Sequence, residues 1–187
     1  MESGDDRVVG EVLALFTGHG HATYSERVTM EQHARQAAAL ARAEGAGDAL
    51  VLAALLHDVG HFLDEADSEF GVTDHGVTGG AWVAERFVDA VSEPVRLHVA
   101  AKRYLCFMDP GYEAELSPAS IGTLRLQGGV MSVEEAAAFE AEPFAGDALA
   151  LRSWDDGGKA AKDGGTGLGI PTVGHWRPLL ADPGLRR

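Results

Sequence analysis

Residues 50–61 read LVLAALLHDVGH, an apolar helix that delivers two adjacent metal-binding side chains, His57 and Asp58, at its end. The rest of the chain shares that period. Apolar residues recur at helical spacing nearly throughout, and no convincing alternating strand interrupts them. The expected fold is therefore all-α, a helical bundle forming a single domain over residues 1–187. That length buries a core without disulfides or structural zinc.

Start and stop signals divide the chain. Val8 to Phe16 reads as a first helix. Thr29 with Gln32 three residues on spells a capping box for an alanine-rich helix to about Glu44, stopped by Gly45 and Gly47. Asp48 is the expected cap of the helix carrying the doublet, and Gly60 breaks the turn after it. Further helices are expected from about Val77 to Ala90 and from Ser92-Pro94 to about Leu105. A shorter one starts at Ser117-Pro118 and ends at Gly128-Gly129, and Ser132 with Glu135 spells another capping box. A helix from about Pro143 through Ser153 brings up Arg152, Trp154 and Asp155. The stretch 157–170 is too glycine-rich for a helix and reads as a surface loop. It lacks the strand-then-helix setting of a phosphate-binding loop. A last short helix is expected after Pro171.

Fifteen basic residues against 29 acidic ones leave a net charge of −14. That argues against nucleic acid, whose phosphates demand a basic face. It does not exclude a small anionic substrate, because a few local cations and metal ions can overrule the global field. Cys106 is the only cysteine, which excludes an internal disulfide and fits a reducing, cytoplasmic location. The start, MESGDDRVVG, lacks the pattern of a signal peptide, and no apolar run reaches the length of a membrane span.

Six side chains form the candidate metal set, in the order His33, His57, Asp58, His75, His98 and Asp155. Imidazole and carboxylate together suit first-row metals, and a carboxylate can bridge two ions. Neighbouring residues on a regular helix point about 100° apart, so bridging is the natural role for Asp58 beside His57. A single histidine in a helical protein is more often a core or surface residue than a ligand. His19, His21 and His175 stay in that class. The others are raised by their joint order around the doublet.

That order resembles the HD-domain superfamily, an all-α fold named for its His-Asp doublet. Most of its members are metal-dependent phosphohydrolases, and a smaller branch comprises di-iron oxygenases. The stretches LAALLHDVGH at 52–61, HVAAKRYL at 98–105, SPASIGTLRLQGGVM at 117–131 and LRSWDDGGK at 151–159 resemble one group in that branch. This group consists of the oxygenases that cleave the carbon–phosphorus bond of 1-hydroxyphosphonates, such as the 2-amino-1-hydroxyethylphosphonate dioxygenases. The resemblance implies two iron ions as a mixed-valent Fe(II)/Fe(III) pair, with O2 as co-substrate. His33, His57, Asp58 and Asp155 would hold the first iron. Asp58 would bridge, and His75 and His98 would complete the second. A small organophosphonate would chelate through its hydroxyl and a phosphonate oxygen, giving inorganic phosphate and a carboxylic acid. Its C2 substituent would be amino, trimethylammonio or, in hydroxymethylphosphonate, absent.

Around the ligands stand candidate substrate contacts. Lys102 lies one helical turn beyond His98, Arg152 three residues before Asp155, and His61 just after the doublet. A phosphonate dianion suits such cations, and arginine can give it paired hydrogen bonds. Asp58, His61 and Lys102 are the expected catalytic residues. Ser120, Thr123 and Gln127 are candidate polar partners within the family-like segment. The family also implies a gate, a tyrosine and a glutamate ahead of the first histidine ligand. Tyr24 and Glu26 are its candidates here, with Tyr24 two residues before Glu26 where the family has three. Trp154 reads as packing, Cys106 as a buried small hydrophobe, and Gly128-Gly129 as either a close approach to substrate or a helix stop. The alternative activity is an HD-type phosphohydrolase acting on a nucleotide or other phosphomonoester. A degenerate ligand-sensing module is a third reading, opposed by six filled metal positions.

Overall fold

A computed structural model describes residues 4–25, 28–64, 74–159 and 172–187, with backbone alone for residues 4–6 and 24–25. Helix α1 (Gly4–His19) leads into a small antiparallel hairpin of β1 (Thr23–Ser25) and β2 (Val28–Thr29), with Thr23 opposite Thr29 and Ser25 opposite Val28. Then follow α2 (Met30–Ala43), α3 (Asp48–Leu56), a 3-10 turn (Val59–Phe62), α4 (His75–Ala84) and α5 (Asp89–Met108). After these come α6 (Pro110–Glu115), α7 (Pro118–Leu126), α8 (Val133–Glu140) and α9 (Ala145–Gly158). The chain closes with a second 3-10 turn (Val173–Trp176), α10 (Arg177–Leu180) and a last turn (Pro183–Leu185). The all-α expectation holds.

Helix α3 is apolar all round, and every residue from Val51 to Leu56 is buried. Such a helix belongs at the centre of a bundle, and α2, α5 and α9 pack around it. The alanines of α2 at positions 34, 37, 38 and 41 join the same core, with Leu52, Leu55, Val91, Val95 and Leu151. Two smaller clusters lie outward. One joins α5, α8 and α9 through Leu97, Ala101, Phe139 and Ala148, and the other gathers Cys106, Leu116 and Leu124 beneath α6 and α7. Among the described residues no helix is long and apolar enough to cross a membrane.

The caps fall largely where the sequence puts them. Thr29 and Gln32 make reciprocal capping bonds at the start of α2, and Ser132 and Glu135 do so at α8. Gly45 ends α2 with φ +78°. Asp48, however, is the first helical residue of α3; the cap is Gly47, without a side-chain bond.

The helix expected to reach Ala90 stops at Ala84, and α5 begins at Asp89 rather than Ser92, taking in Pro94. The cause is remote in sequence. The C-terminal residues pair with the link between the two helices: Val88 N–H donates to Leu185 O, Arg187 N–H donates to Arg86 O, and Phe87 bridges to Arg186. Phe87 is fully buried there. Helix α6 was not anticipated, although Asp109 caps it by accepting from Gly111 N–H and Pro110 occupies its first turn.

The glycine-rich loop expected at 157–170 also starts later, since Gly157 and Gly158 are still in α9. A Cβ at Gly157 would sit 2.8 Å from Leu40 Cδ1, and one at Gly158 would sit 3.1 Å from His33 Nδ1. These glycines let α9 close on α2. Residues 160–170 of that loop lie outside the described residues.

Candidate metal centre

His57 is the last residue with helical geometry at the end of α3 (φ −58°, ψ −36°), and Asp58 leaves the helix at φ −99°, ψ 10°. That turn frees the Asp58 carboxylate from the angular spacing of a regular helix and swings it across the bundle. Gly60 makes the turn possible, because a Cβ there would collide with the carbonyl oxygen of His75. The same contact seats the start of α4, and so His75, against the doublet. His33 arrives from the first turn of α2, His98 from the middle of α5 and Asp155 from α9.

All six side chains are buried. Their atoms sort into two groups that share one residue, His33–His57–Asp58 and Asp58–His75–His98. The division runs between the two oxygens of one carboxylate. Asp58 Oδ2 faces His57 Nε2 at 3.2 Å and His33 Nε2 at 3.5 Å. Asp58 Oδ1 faces His75 Nε2 at 3.5 Å and His98 Nε2 at 3.6 Å. Each histidine pair brings its Nε2 atoms within 3.1 Å of one another. Asp155 Oδ1 joins the first pair, 3.1 Å from His33 Nε2 and 3.9 Å from His57 Nε2.

Two of the rings are fixed by the backbone. His57 Nδ1 lies 2.8 Å from Ala54 O and His98 Nδ1 2.7 Å from Val95 O. A carbonyl only accepts, so each Nδ1 carries a hydrogen, and in the neutral ring each Nε2 keeps its lone pair toward the centre. Asp58 Oδ2 and Asp155 Oδ1 are buried with no hydrogen bond directed at them, and the one ammonium near them is Lys159, 2.9 Å from Asp155 Oδ1. Buried carboxylate oxygens normally have a partner. Two such oxygens turned toward imidazole lone pairs are what a divalent or trivalent cation would satisfy, so the donor set fits a metal.

The electrostatics agree. Burial alone would raise Asp58, but the adjoining His57 pulls its carboxyl well below the usual range. Burial lowers His57, and the Asp58 carboxylate outweighs it to hold the imidazole at about 8. Asp155 is likewise pulled well down, against its burial, by Arg152 and Lys159. Burial leaves His33 below its ordinary value. Both carboxylates are thus ionised at neutral pH and draw positive charge into the space between the histidines.

The candidate substrate residues divide. Lys102 is buried and donates to Thr123 Oγ1 at 2.9 Å and Gln127 Oε1 at 2.5 Å. Burial, with Arg152 and Lys159 nearby, lowers its pKa to about 7. An ammonium has three donors, so one remains beyond these two bonds. Ser120 is buried on the same wall, its hydroxyl 3.0 Å from Ser117 Oγ. His61 stacks on His75 with ring centroids 4.0 Å apart, and burial lowers its basicity.

Arg152, expected as a substrate contact, is bonded chiefly within the chain. Every guanidinium nitrogen is engaged within the chain, with Tyr112, Asp155 and Asp156, and the residue is 3% exposed. The carboxylate one position beyond Asp155 holds it. The Glu26 half of the gate lies outside the described residues, and Tyr24 is described by its backbone alone. Trp154 packs as expected, its Nε1–H donating to Glu44 Oε2. Gly128 and Gly129, both at positive φ, form a helix stop with Gly129 N–H on Leu124 O.

Sequence reasoning passed over Tyr112, Asp156 and Lys159. The last two had a signal: Asp156 is four residues after Arg152, and Lys159 four after Asp155, the spacing at which helical side chains meet. Tyr112 had none, because it rides on the unanticipated α6.

Residues 28–126 match the HD domain, a span that holds His33, His57, Asp58, His75 and His98. The chain belongs to the HD-domain family. It is 45% identical over 170 residues to hydroxymethylphosphonate dioxygenase of Gimesia maris, covering 88% of this chain and 82% of that protein. It is 39% identical over 182 residues to [1-hydroxy-2-(trimethylamino)ethyl]phosphonate dioxygenase (glycine-betaine-forming) of Leisingera caerulea, covering 92% and 88%. An uncharacterized protein of Acanthamoeba polyphaga mimivirus is 34% identical over 158 residues, covering 81% and 72%. In this HD domain the doublet lies at the centre of both ligand groups, and Asp155 is added from beyond the matched span.

Proposed function

We propose that this HD-domain protein is an iron- and O2-dependent oxygenase that cleaves the C–P bond of a small 1-hydroxyphosphonate. Two similar proteins named as dioxygenases of 1-hydroxyphosphonates support the substrate class and reaction. The observation that carries the reading within the chain is the Asp58 carboxylate, each oxygen of which faces its own histidine pair.

His33, His57, Asp155 and one oxygen of Asp58 would hold the first iron; His75, His98 and the other oxygen would hold the second. Nitrogen and carboxylate donors without thiolate suit redox-active non-haem iron. Bound there as a mixed-valent Fe(II)/Fe(III) pair, the metal would supply O2 activation and a seat for the substrate's hydroxyl and phosphonate oxygens. The overall change balances without another reductant. Hydroxymethylphosphonate and O2, for example, give formate and phosphate, the four electrons coming from the C–P and C–H bonds.

The chain's own residues orient and charge-match the substrate. Lys102, steered by Thr123 and Gln127, offers its remaining N–H to a phosphonate oxygen. An anion arriving there also restores the ammonium that burial disfavours. Ser120 lines the same wall. His61, beside His75 and neutral near pH 7, faces the substrate hydroxyl as its proton partner.

The test is incubation of iron-loaded protein with hydroxymethylphosphonate, 2-amino-1-hydroxyethylphosphonate and its trimethylammonio analogue, with and without O2. Phosphate release matched by O2 consumption is expected from at least one. Phosphate formed equally under nitrogen, or released from phosphomonoesters instead, would establish the phosphohydrolase.

A further inference from the structure

We infer that Tyr112, Arg152 and Asp156 form a positioning network that presents Asp155 to the metal through one oxygen only. The inference rests on the reading that Asp155 is a metal ligand.

Asp156 grips one edge of the Arg152 guanidinium. Its Oδ1 accepts from Nη2 and its Oδ2 from Nε at 3.1 Å, a two-point carboxylate–arginine pair. Tyr112, reaching in from α6, closes the pair on both sides: its hydroxyl accepts from Arg152 Nε at 2.8 Å and donates to Asp156 Oδ2 at 2.5 Å. With Nε and Nη2 held, Nη1 is directed at Asp155 Oδ2, 2.5 Å away. That bond occupies the outer oxygen of Asp155. The inner one, Oδ1, is left on the side of the histidines, 3.1 Å from His33 Nε2, with the Lys159 ammonium 2.9 Å away as its ion-pair partner.

Two consequences follow for the site. Asp155 cannot swing to chelate with both oxygens while Arg152 holds one, so coordination room at the first metal is kept for substrate or O2. The Nε–Nη2 edge of Arg152 is taken by Asp156 and cannot grip a phosphonate, which leaves Lys102 as the principal cation for that group. Tyr112 makes the arrangement long-range. It ties α6, which leads into the wall bearing Ser120 and Thr123, to the helix that carries the ligand.

The experiment counts metal rather than turnover. Metal-free full-length protein is titrated anaerobically with Fe(II) by calorimetry, for wild type, Asp155→Ala, Tyr112→Phe, Asp156→Asn, Arg152→Lys and the double variant Asp155→Ala/Asp156→Asn. Thermal melts of the metal-free forms check folding. Partners that orient a ligand usually change metal affinity about 10–100-fold. The expected result is therefore two ions on wild type, and on Tyr112→Phe, Asp156→Asn and Arg152→Lys one ion weakened by about that factor with the other unchanged. In the Asp155→Ala background Asp156→Asn should add nothing, because its route to the metal is gone.

Wild-type affinity for both ions in Tyr112→Phe and Asp156→Asn overturns the network. So does an Asp156→Asn effect as large without Asp155 as with it, or an Arg152→Lys variant that changes only substrate KM. If wild type takes a single ion, the dinuclear reading fails by itself. The network is then still decided by whether Asp156→Asn weakens that ion.

Discussion

The side of the molecule that supplies the candidate ligands is built from helices in the main core. Helices α2, α3 and α5 lie around Leu52, Leu55, Val91 and Val95, and α9 joins them through Leu151. The facing side, α6 and α7, has a much smaller apolar base of Cys106, Leu116 and Leu124, and α6 buries no residue at all. The first side must hold ionised carboxylates out of water, which is tolerable only where several partners are fixed around them. The second side has to recognise an anion that comes and goes. It does so with hydroxyls and an amide on the short α7, and with Lys102, which reaches across to them from α5. Packing is concentrated where charge is permanent, and the wall that bears the candidate substrate contacts is lightly anchored.

The hardest blow to that division is Asp58→Ala, because one carboxylate serves both histidine pairs. Activity should vanish, and both ions should bind weakly in metal analysis. Asp155→Ala, by contrast, should affect one. Full iron occupancy in Asp58→Ala would mean that the two groups are not joined through it. The metal-free variant should be less stable at neutral pH, since the buried His57 loses the carboxylate that holds its pKa at about 8.

Lys102→Met probes the other side and should be next in size. A hydrogen bond to a charged group contributes about 1.5–3 kcal/mol, so KM should rise by roughly 10–100-fold while iron content stays at the wild-type level. The pH dependence has a definite sign. The Lys102 ammonium is lost as pH rises through about 7, so kcat/KM of wild type should fall on the alkaline side of that value. This limb should be missing in Lys102→Met. Stability moves oppositely: between about 7 and the ordinary 10.5 the unfolded chain binds the extra proton, so folding gains with rising pH in that window. A pH profile identical in the two proteins would remove Lys102 from the substrate site.

The same division explains what could be read from the chain. The candidate ligand set was legible in part from local rules, an apolar run up to His57-Asp58 and a capping box ahead of His33, whereas His98 and Asp155 lie inside α5 and α9 and were placed by the family resemblance. The helix class and most caps were legible from the same local rules. What escaped was long-range or depended on close packing. The C-terminal residues that split α4 from α5 lie about a hundred positions away from the link they pair with. Gly157 and Gly158 look like loop formers in sequence, and only the approach of α2 explains them as helix residues. Arg152 was adjacent to a ligand and positive, which is equally the description of a substrate contact and of a clamp. The distinction needed Tyr112 and Asp156 in place.

Gly158→Ala sharpens the ligand side. Inside a helix the change by itself should stabilise by about 0.5–1 kcal/mol. Here the new methyl would press on His33 at 3.1 Å, and overpacking costs about 1–3 kcal/mol. The expected net result is a slightly lower melting temperature together with weaker binding of the first ion. Gly146→Ala on the same helix meets no atom within 4 Å, and should leave stability equal or higher with metal binding intact. Equal behaviour of the two variants would show that close packing at His33 is not part of the site.

The smallest effect compares two caps of similar strength on opposite sides. Ser117 caps α7 by accepting from Ser120 N–H at 3.2 Å, and Thr29 caps α2 by accepting from Gln32 N–H at 3.2 Å. Replacing either with alanine should destabilise by about 1 kcal/mol, seen in urea unfolding. The functional readouts should differ, since α7 bears Ser120 and Thr123, and α2 bears His33 in its first turn. Ser117→Ala should raise KM modestly at constant iron content, and Thr29→Ala should weaken the first ion at nearly constant KM. If both caps shift the same parameter, the two sides are mechanically one body, and the contrast between a rigid ligand side and a lightly anchored wall does not hold.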